Sequence, residues 1–409
     1  MLKTKLNFIP LVLSLLVLPT VPSLVSAADE VEEVVAIGTR REARSVGDSP
    51  APVDVISGSD LKNQGATELD YMLRTLVPSF NVNTQPISDA ATLIRPPNLR
   101  GLPPDNMLVL TNGKRRHRGS VISFLGGGIA DGAQGPDISA IPSIALKKVE
   151  VLRDGAAAQY GSDAIAGVLN FVYNDSAEGA RLEVKSGEYK EGDGQSIRIS
   201  ANVGMPFTDD GYANFSMELQ ETDPTARSAQ RGDAADLKAA GVPVWEHPFG
   251  NGEAQVWGSP TVKDDVKFVG NIGLQLTPSS KFYLFGNYAE KNVMGGFFFR
   301  NPNNRTGVYD NGSDIRLIAD AGQAAGGART CPSDIDATAY NLIGDALAVY
   351  ENDPNCFVFN QVFPGGFTPS FGGDVTDWSI ASGVEGIYES GTSYDFSVHI
   401  GENRSDFVI

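Results

Sequence analysis

The chain has 409 residues, with 32 Lys and Arg against 50 Asp and Glu, a formal net charge of −18. Acidity of this degree argues against a nucleic-acid partner, whose binding needs a basic footprint. With 45 glycines, 2 cysteines and 3 histidines, the composition fits a Gly-rich β protein without a metal cluster.

The first residues, "MLKTKLNFIPLVLSLLVLPTVPSLVSAADE", have a basic start at Lys3 and Lys5, an apolar run from Leu11 to Leu18, and small residues at Val25, Ser26 and Ala27. That layout predicts a secretory signal over 1–27, cleaved after Ala27 or Ala28. The apolar run before Pro19 is far short of the ~20 residues a spanning helix needs. No later stretch is apolar enough for such a helix, so a membrane form of this protein has to be a barrel. The next segment, "EVEEVVAIGTR", is short, β-prone and without an evident pairing partner.

From Val53 to about Asn174 the chain mixes strands, helix and turns. "SDLKNQGATELDYMLRTLVPSF" predicts a helix capped by Ser59 or Asp60, with Leu69, Met72, Leu73 and Leu76 at helical spacing and Pro78 beyond its end. "MLVLTNGKRRH" predicts a hairpin turning at Asn112-Gly113. "IALKKVEVLRDG" predicts a further strand. The basic run Lys114 to Arg118 is too short and isolated for nucleic acid, and reads as the wet polar face of the hairpin's return arm.

After about Gly179 the pattern becomes strictly alternating. "RLEVKSG", "SIRISANVG", "YANFSMELQ", "VKFVGNIGLQL", "KFYLFGNYAE", "WSIASGVEGIYE" and "SYDFSVHIG" are seven candidate strands, most of about the 9–11 residues a tilted membrane strand requires. A soluble sandwich also alternates, but the links discriminate. From the second onward, short turns alternate with long connections of roughly forty and roughly ninety residues, as in a membrane barrel with tight turns at one rim and long loops at the other. Cys331 and Cys356 fall in the longest connection. In an exported chain they predict a disulfide stapling that loop; a metal pair is the weaker alternative, since no His or third Cys lies nearby.

These features together resemble the TonB-dependent outer-membrane receptor family. "EEVVAIGTR" is similar to the TonB box. "PNLRGLPPDNMLVLTNGKRRHRGS" and "IPSIALKKVEVLRDGAAAQYGSDAIAGVLNFV" are similar to the centre and end of the family's plug. The implied organisation is a signal peptide at 1–27, box and linker at 28–52, a mixed α/β plug at 53–178, and the N-terminal part of an antiparallel transmembrane β-barrel at 179–409. Its long external loops are expected at about 223–264 and 292–377.

The resemblance also implies partners and a role. Glu33, Val34, Val35, Ala36 and Ile37 would stay unpaired and add as a strand to a TonB-type energy-transducing protein. The barrel would contact outer-membrane lipid. A small-molecule or chelate ligand, by default an iron chelate, would be taken up through the plugged barrel. Gln85, Arg95, His117, Arg118 and Gln134 are the candidate ligand-facing residues, with ordinary surface loops as the alternative. Arg100, Gly101 and Arg153 are candidates for fastening the plug to the wall, unless the arginines only cap local structure. No catalytic residues, metal site or cofactor are expected, because GxSxG, HExxH and CxxC are absent. A 22-stranded plugged barrel at this strand spacing needs on the order of 700 residues, so the expectation is an N-terminal fragment carrying seven strands. The competing reading is a surface binding or adhesion protein that does not transport.

Overall fold

The computed structural model describes residues 34–35, 37, 44–45, 52–82, 93–123, 128–153, 156–246, 252–255, 258–333, 335–336 and 342–409. Glu33, Ala36, Gln85 and the expected signal peptide lie outside the described residues. Near the start, β1 (Val34–Val35) pairs antiparallel with β2 (Arg44–Ser45).

The α/β region is built on a five-stranded sheet in the order β3-β8-β9-β6-β7. Its strands are β3 (Val53–Ser57), β6 (Met107–Thr111), β7 (Lys114–Arg115), β8 (Leu146–Leu152) and β9 (Gly167–Tyr173). Strand β6 runs parallel to β9, and the other pairs are antiparallel. Met72, Leu73, Val109, Val149 and Leu169 form one apolar layer, and Leu108, Leu110, Leu152 and Val168 form another. Because both faces of the sheet are covered, "MLVL" is a continuous apolar run instead of an alternating one. The turn expected at Asn112-Gly113 is present, with φ of 46° and 76° at the two residues. This is the left-handed pair that favours Asn-Gly in a two-residue hairpin. A second, smaller ribbon joins β4 (Phe80–Val82) to β5 (Pro97–Leu99).

The expected single helix is two. Helix α1 (Gly58–Lys62) is capped by Ser57, not by Ser59 or Asp60: its Oγ accepts from the Asp60 amide at 3.1 Å while the Ser57 amide donates to Asp60 Oδ2 at 3.0 Å. Helix α2 (Leu69–Leu76) buries Leu69, Met72 and Leu73. The 63–68 interruption contains Asn63 and Gly65, both weak helix formers. Its exposed carbonyls find partners on the wall, as described below.

The wall is a seven-stranded antiparallel meander: β10 (Ala180–Gly187), β11 (Ser196–Thr208), β12 (Gly211–Thr222), β13 (Thr261–Thr277), β14 (Ser280–Gly296), β17 (Ser370–Ile387) and β18 (Ser393–Val408). The alternation resolves into an inverted burial pattern. Leu182, Val184, Met217, Phe268, Ile380, Phe396 and Val398 are exposed, whereas Arg198, Ser200, Ser216, Glu218, Lys267 and Asp377 are buried. An apolar outside around a polar inside is the arrangement of a transmembrane barrel, opposite to that of a sandwich. Among the described residues no helix is long and apolar enough to cross a membrane.

The long connections at 223–260 and 297–369 carry structure of their own. The first holds α3 (Gly232–Ala239). In the second, β15 (Ala319–Asp320) pairs with β16 (Cys356–Phe357), and Cys331 and Cys356 form a disulfide among Leu342, Tyr350 and Val358. Asp320 accepts from the backbone amides of Cys331 and Gln323. These bonds hold its carboxyl below the usual carboxylate range.

Candidate functional site

The inner face of the wall is filled by the α/β domain, and two seats hold it there. The first lies on β10 and β11. Lys185 Nζ donates to the carbonyls of Lys62 and Gln64, both at 2.9 Å. Arg198 Nη1 donates to the Thr67 carbonyl at 2.7 Å and to Ser143 Oγ at 2.9 Å, and Arg181 reaches the Ile144 carbonyl at 3.2 Å. Carbonyls that a helix break leaves without partners are thus satisfied by wall cations. Arg198 is itself held between Glu183 at 3.7 Å and Glu218 at 3.8 Å, and Lys267 bonds Glu218 at 2.8 Å.

The second seat lies on β14, β17 and β18, where plug cations meet wall carboxylates and one wall cation, Lys291, meets a plug carboxylate. Arg116, with its side chain 1% exposed, donates from Nη2 to Asp377 Oδ1 at 2.6 Å. It also reaches Asn287 Oδ1 and the Asp137 carbonyl, each at 3.2 Å. Asn287 Nδ2 donates to Asp377 Oδ1 at 2.8 Å, and Asn403 Nδ2 to Oδ2 at 3.0 Å. His117 Nε2 lies 2.8 Å from Asp377 Oδ2, where an ionised carboxylate requires it to donate. Every lone pair of a buried charge is met, which is the condition for such a pair to persist away from water. At one end of this seat Lys114 Nζ bonds Asp395 at 2.5 Å and Ser397 Oγ at 3.0 Å, and Tyr283 OH donates to Asp395 at 2.7 Å. At the other, the Ser120 amide donates to Asn403 Oδ1 at 2.8 Å. Lys291 of β14 joins Asp137 at 3.4 Å and Ser139 at 2.5 Å.

Only part of the basic run is a wet face: Arg115 and Arg118 are exposed beside plug carboxylates, whereas Lys114, Arg116 and His117 form the second seat. The expectation missed Arg116, Asp137, Asn287, Lys291 and Asp377. The available signal was polar residues on the inward register of strands whose outward register is apolar, opposite a cation run in a hairpin.

The expected fasteners sit elsewhere. Arg153 pairs with Asp54 of the plug itself, its Nε 2.7 Å from Asp54 Oδ2. Arg100 donates to the Arg153 carbonyl at 2.6 Å, and Arg100 and Gly101 form a left-handed turn at φ 56° and 69°. Both arginines cap local plug structure in these contacts; the wall carboxylates are used by Arg116, His117 and Lys114 instead.

The candidate ligand residues do not converge. Arg95 is buried, bonded to Glu68 at 2.7 Å and near Asp70 at 3.6 Å. Burial opposes its charge, but the two carboxylates outweigh that and hold its pKa above the ordinary value. Burial in turn raises the pKa of Asp70 against the pull of Arg95. His117 is committed to Asp377. Arg118 extends to Asp105 at 3.2 Å, and Gln134 donates to the Gly119 carbonyl at 2.8 Å. Each of these side chains has a protein partner in the plug or wall. A cavity of about 230 Å³ does lie between segment 65–71 and the ends of β10–β13, lined by Glu68, Tyr71, Tyr189 and Asp223.

The box segment also differs from expectation. Val34 and Val35 are paired with Ser45 and Arg44, and Ile37 is 2% exposed among Val53, Leu108, Leu110 and Leu152. Its apolar side chain gains more from that cluster than from water, so Val34, Val35 and Ile37 lie against the chain's own elements.

An α/β domain seated on the polar inner face of an outward-apolar antiparallel sheet defines a plugged membrane barrel. Comparison with known proteins agrees. The TonB-dependent receptor plug domain profile matches residues 45–168. The vitamin B12 transporter BtuB of Photobacterium profundum is 26% identical over 203 residues, 49% of this chain and 30% of that protein. The ferrienterobactin receptor of Escherichia coli is 30% identical over 142 residues, 34% of this chain and 18% of that protein. A crystal structure of a mutant ferric enterobactin receptor from Pseudomonas aeruginosa in complex with enterobactin superposes with a TM-score of 0.50 at 17% identity. That match covers 86% of this chain and 41% of the receptor, so the chain spans less than half of that receptor. Residues 45–168 thus carry a TonB-dependent receptor plug domain, and the chain as a whole is similar in fold to such receptors, with the plug followed by part of a β-barrel. The curated relatives are named as transporters and receptors and not as enzymes.

Proposed function

We propose that this chain is part of an outer-membrane receptor for active, TonB-dependent uptake of a scarce or bulky solute, exported by a signal peptide at 1–27. The observation that carries the reading is the second seat. It holds the plug against the wall through buried, paired charges, so passage requires work to move the plug. The box and linker at 28–52 would recruit the energy-transducing protein through Glu33 to Ile37 by strand addition once Val34 and Val35 are released from Ser45 and Arg44. The plug at 53–178 would block the pore and the segment 179–409 would begin its wall. An iron chelate is the proposed cargo, supported by relatives named as ferric enterobactin receptors; relatives named as vitamin B12 transporters supply the competing cargo.

Deleting residues 33–37 from the complete receptor tests this reading. Cells are offered ferric enterobactin and cyanocobalamin as probes. Energy-dependent accumulation of one of them should vanish while its surface binding persists. Accumulation unchanged by the deletion would remove the box assignment, and binding without energised accumulation in the intact receptor would favour a non-transporting surface binder.

A further inference from the structure

Four charges meet where the plug touches β14 and β17: Asp137 and Arg116 from the plug, Lys291 and Asp377 from the wall. Their direct contacts cross the interface, Lys291 with Asp137 at 3.4 Å and Arg116 with Asp377 at 2.6 Å. All four are buried or nearly so, and a small void of about 10 Å³ is lined by Asp137, Lys291 and Asp377 together. Parting plug and wall breaks both contacts at once, and each of the four charges must then be solvated or find another partner.

The register offers each side a replacement. Ala289 is opposite Asp377 and Lys291 is opposite Val375, so Lys291 and Asp377 are diagonal neighbours on one face of adjacent strands. Such diagonals have Cα atoms about 7–8 Å apart, within reach of a long side chain. No backbone movement is needed for Lys291 Nζ to turn from Asp137 to Asp377 once Arg116 has gone. On the plug, Arg116 Nε already donates to the Asp137 carbonyl at 3.2 Å, so its guanidinium lies beside the residue whose carboxylate Lys291 gives up.

We propose that the seat works by partner exchange: two ion pairs across the interface, Lys291 with Asp137 and Arg116 with Asp377, become two internal pairs, Lys291 with Asp377 on the wall and Arg116 with Asp137 on the plug. The number of ion pairs is the same before and after. The seat thus holds the plug tightly at rest without leaving these four charges unpaired when the plug leaves. Lys291 is the positioning residue of the exchange, since its flexible stem is what changes partner on the wall. The inference rests on the uptake reading only in supposing that the plug leaves the wall.

The test needs neither cargo nor energy-transducing partner, so its outcome is separate from that of the box deletion. In the complete detergent-solubilised receptor, hydrogen exchange over residues 114–121 reads separation at this seat, because the Ser120 amide is bonded to Asn403. Two double substitutions divide the states. Lys291→Asp with Asp137→Lys keeps the interface pair in reversed sign, but sets like charges together in the separated state. Exchange should slow about tenfold relative to wild type. Lys291→Asp with Asp377→Lys keeps the internal wall pair but puts like charges across the interface, and exchange should quicken at least tenfold. If the first variant exchanges at the wild-type rate or faster, with the amides of β10–β13 still protected, the exchange of partners is refuted. Loss of protection in β10–β13 would mark misfolding. The decision then passes to Lys291→Arg, which retains charge and reach: wild-type rates support the scheme, and rates changed tenfold overturn it.

Discussion

The two seats of the plug use the same kinds of atoms in opposite ways. On β10 and β11 the wall supplies the charged side chains and the plug supplies backbone carbonyls at Lys62, Gln64, Thr67 and Ile144. On β14, β17 and β18 charged side chains serve on both sides: the plug supplies Lys114, Arg116, His117 and Asp137, and the wall supplies Asp377, Asp395 and Lys291. A carbonyl is present whatever the residue, so the first seat constrains the path of the plug chain and hardly its side chains. The second depends on named charges at both ends. The first seat is a rest, and the second is a latch.

The largest effect should come from breaking the latch on one side. Asp377→Ala leaves Arg116 buried without its counter-charge, a loss of about 3–5 kcal/mol for a pair of this burial. The urea midpoint for plug unfolding in the solubilised receptor should fall sharply, and a midpoint near wild type would show that Arg116 has another route to neutrality.

The rest is probed from both ends. Arg198→Met removes the donor to the Thr67 carbonyl and the counter-charge of Glu183 and Glu218, and should cost about 3 kcal/mol in the same assay. Thr67→Val, which keeps that carbonyl, should stay within about 0.5 kcal/mol of wild type. Equal losses from the two would mean that the first seat reads side chains after all, and would erase the contrast.

A finer effect concerns how closely the plug approaches β18. A Cβ on Gly401 would lie 2.3 Å from His117 Nδ1, so Gly401→Ala must turn the imidazole. The loss of its bond to Asp377 should cost about 1 kcal/mol while Arg116 stays in place. Urea midpoints of Gly401→Ala with and without His117→Ala check this, since the glycine substitution should add little once the ring is gone.

The smallest effect on the plug, none, is expected from the loop pocket of Asp320. Its carboxyl is held below its ordinary pKa by backbone amides. Its contribution is therefore present at every pH above the unfolded value, about 3.9, and is lost as the pH falls through the lower folded value. Hydrogen exchange in the 319–331 segment, corrected for its intrinsic pH dependence, should show constant protection from neutral pH down to about pH 4. Asp320→Asn should lose that protection at pH 7 and leave the plug midpoint unchanged.

Much of the architecture was written locally. The seven strands, their short and long links and the Asn112-Gly113 turn follow from alternation and from φ preferences within a few residues. What escaped were the choices made by distant groups. Arg116 and Asp377 are 261 positions apart, and nothing in "KRRHR" distinguishes the residue that is buried from Arg118, which stays at the surface. The expected helix broke at 63–68 because Lys185 and Arg198, both far along the chain, take over the carbonyls. Arg95, His117 and Gln134 looked free for a ligand only because Glu68, Asp377 and the Gly119 carbonyl cannot be placed beside them without the fold.

By itself, then, the sequence determined where the chain alternates, where it turns, and which face of each strand is apolar, since those are properties of neighbouring residues. The tertiary structure alone decided which charge meets which, that Ile37 is tucked into the plug, and that part of one basic run is a latch. A buried charge is tolerated only where a partner arrives from elsewhere in the chain, and the identity of that partner is a property of the assembled fold.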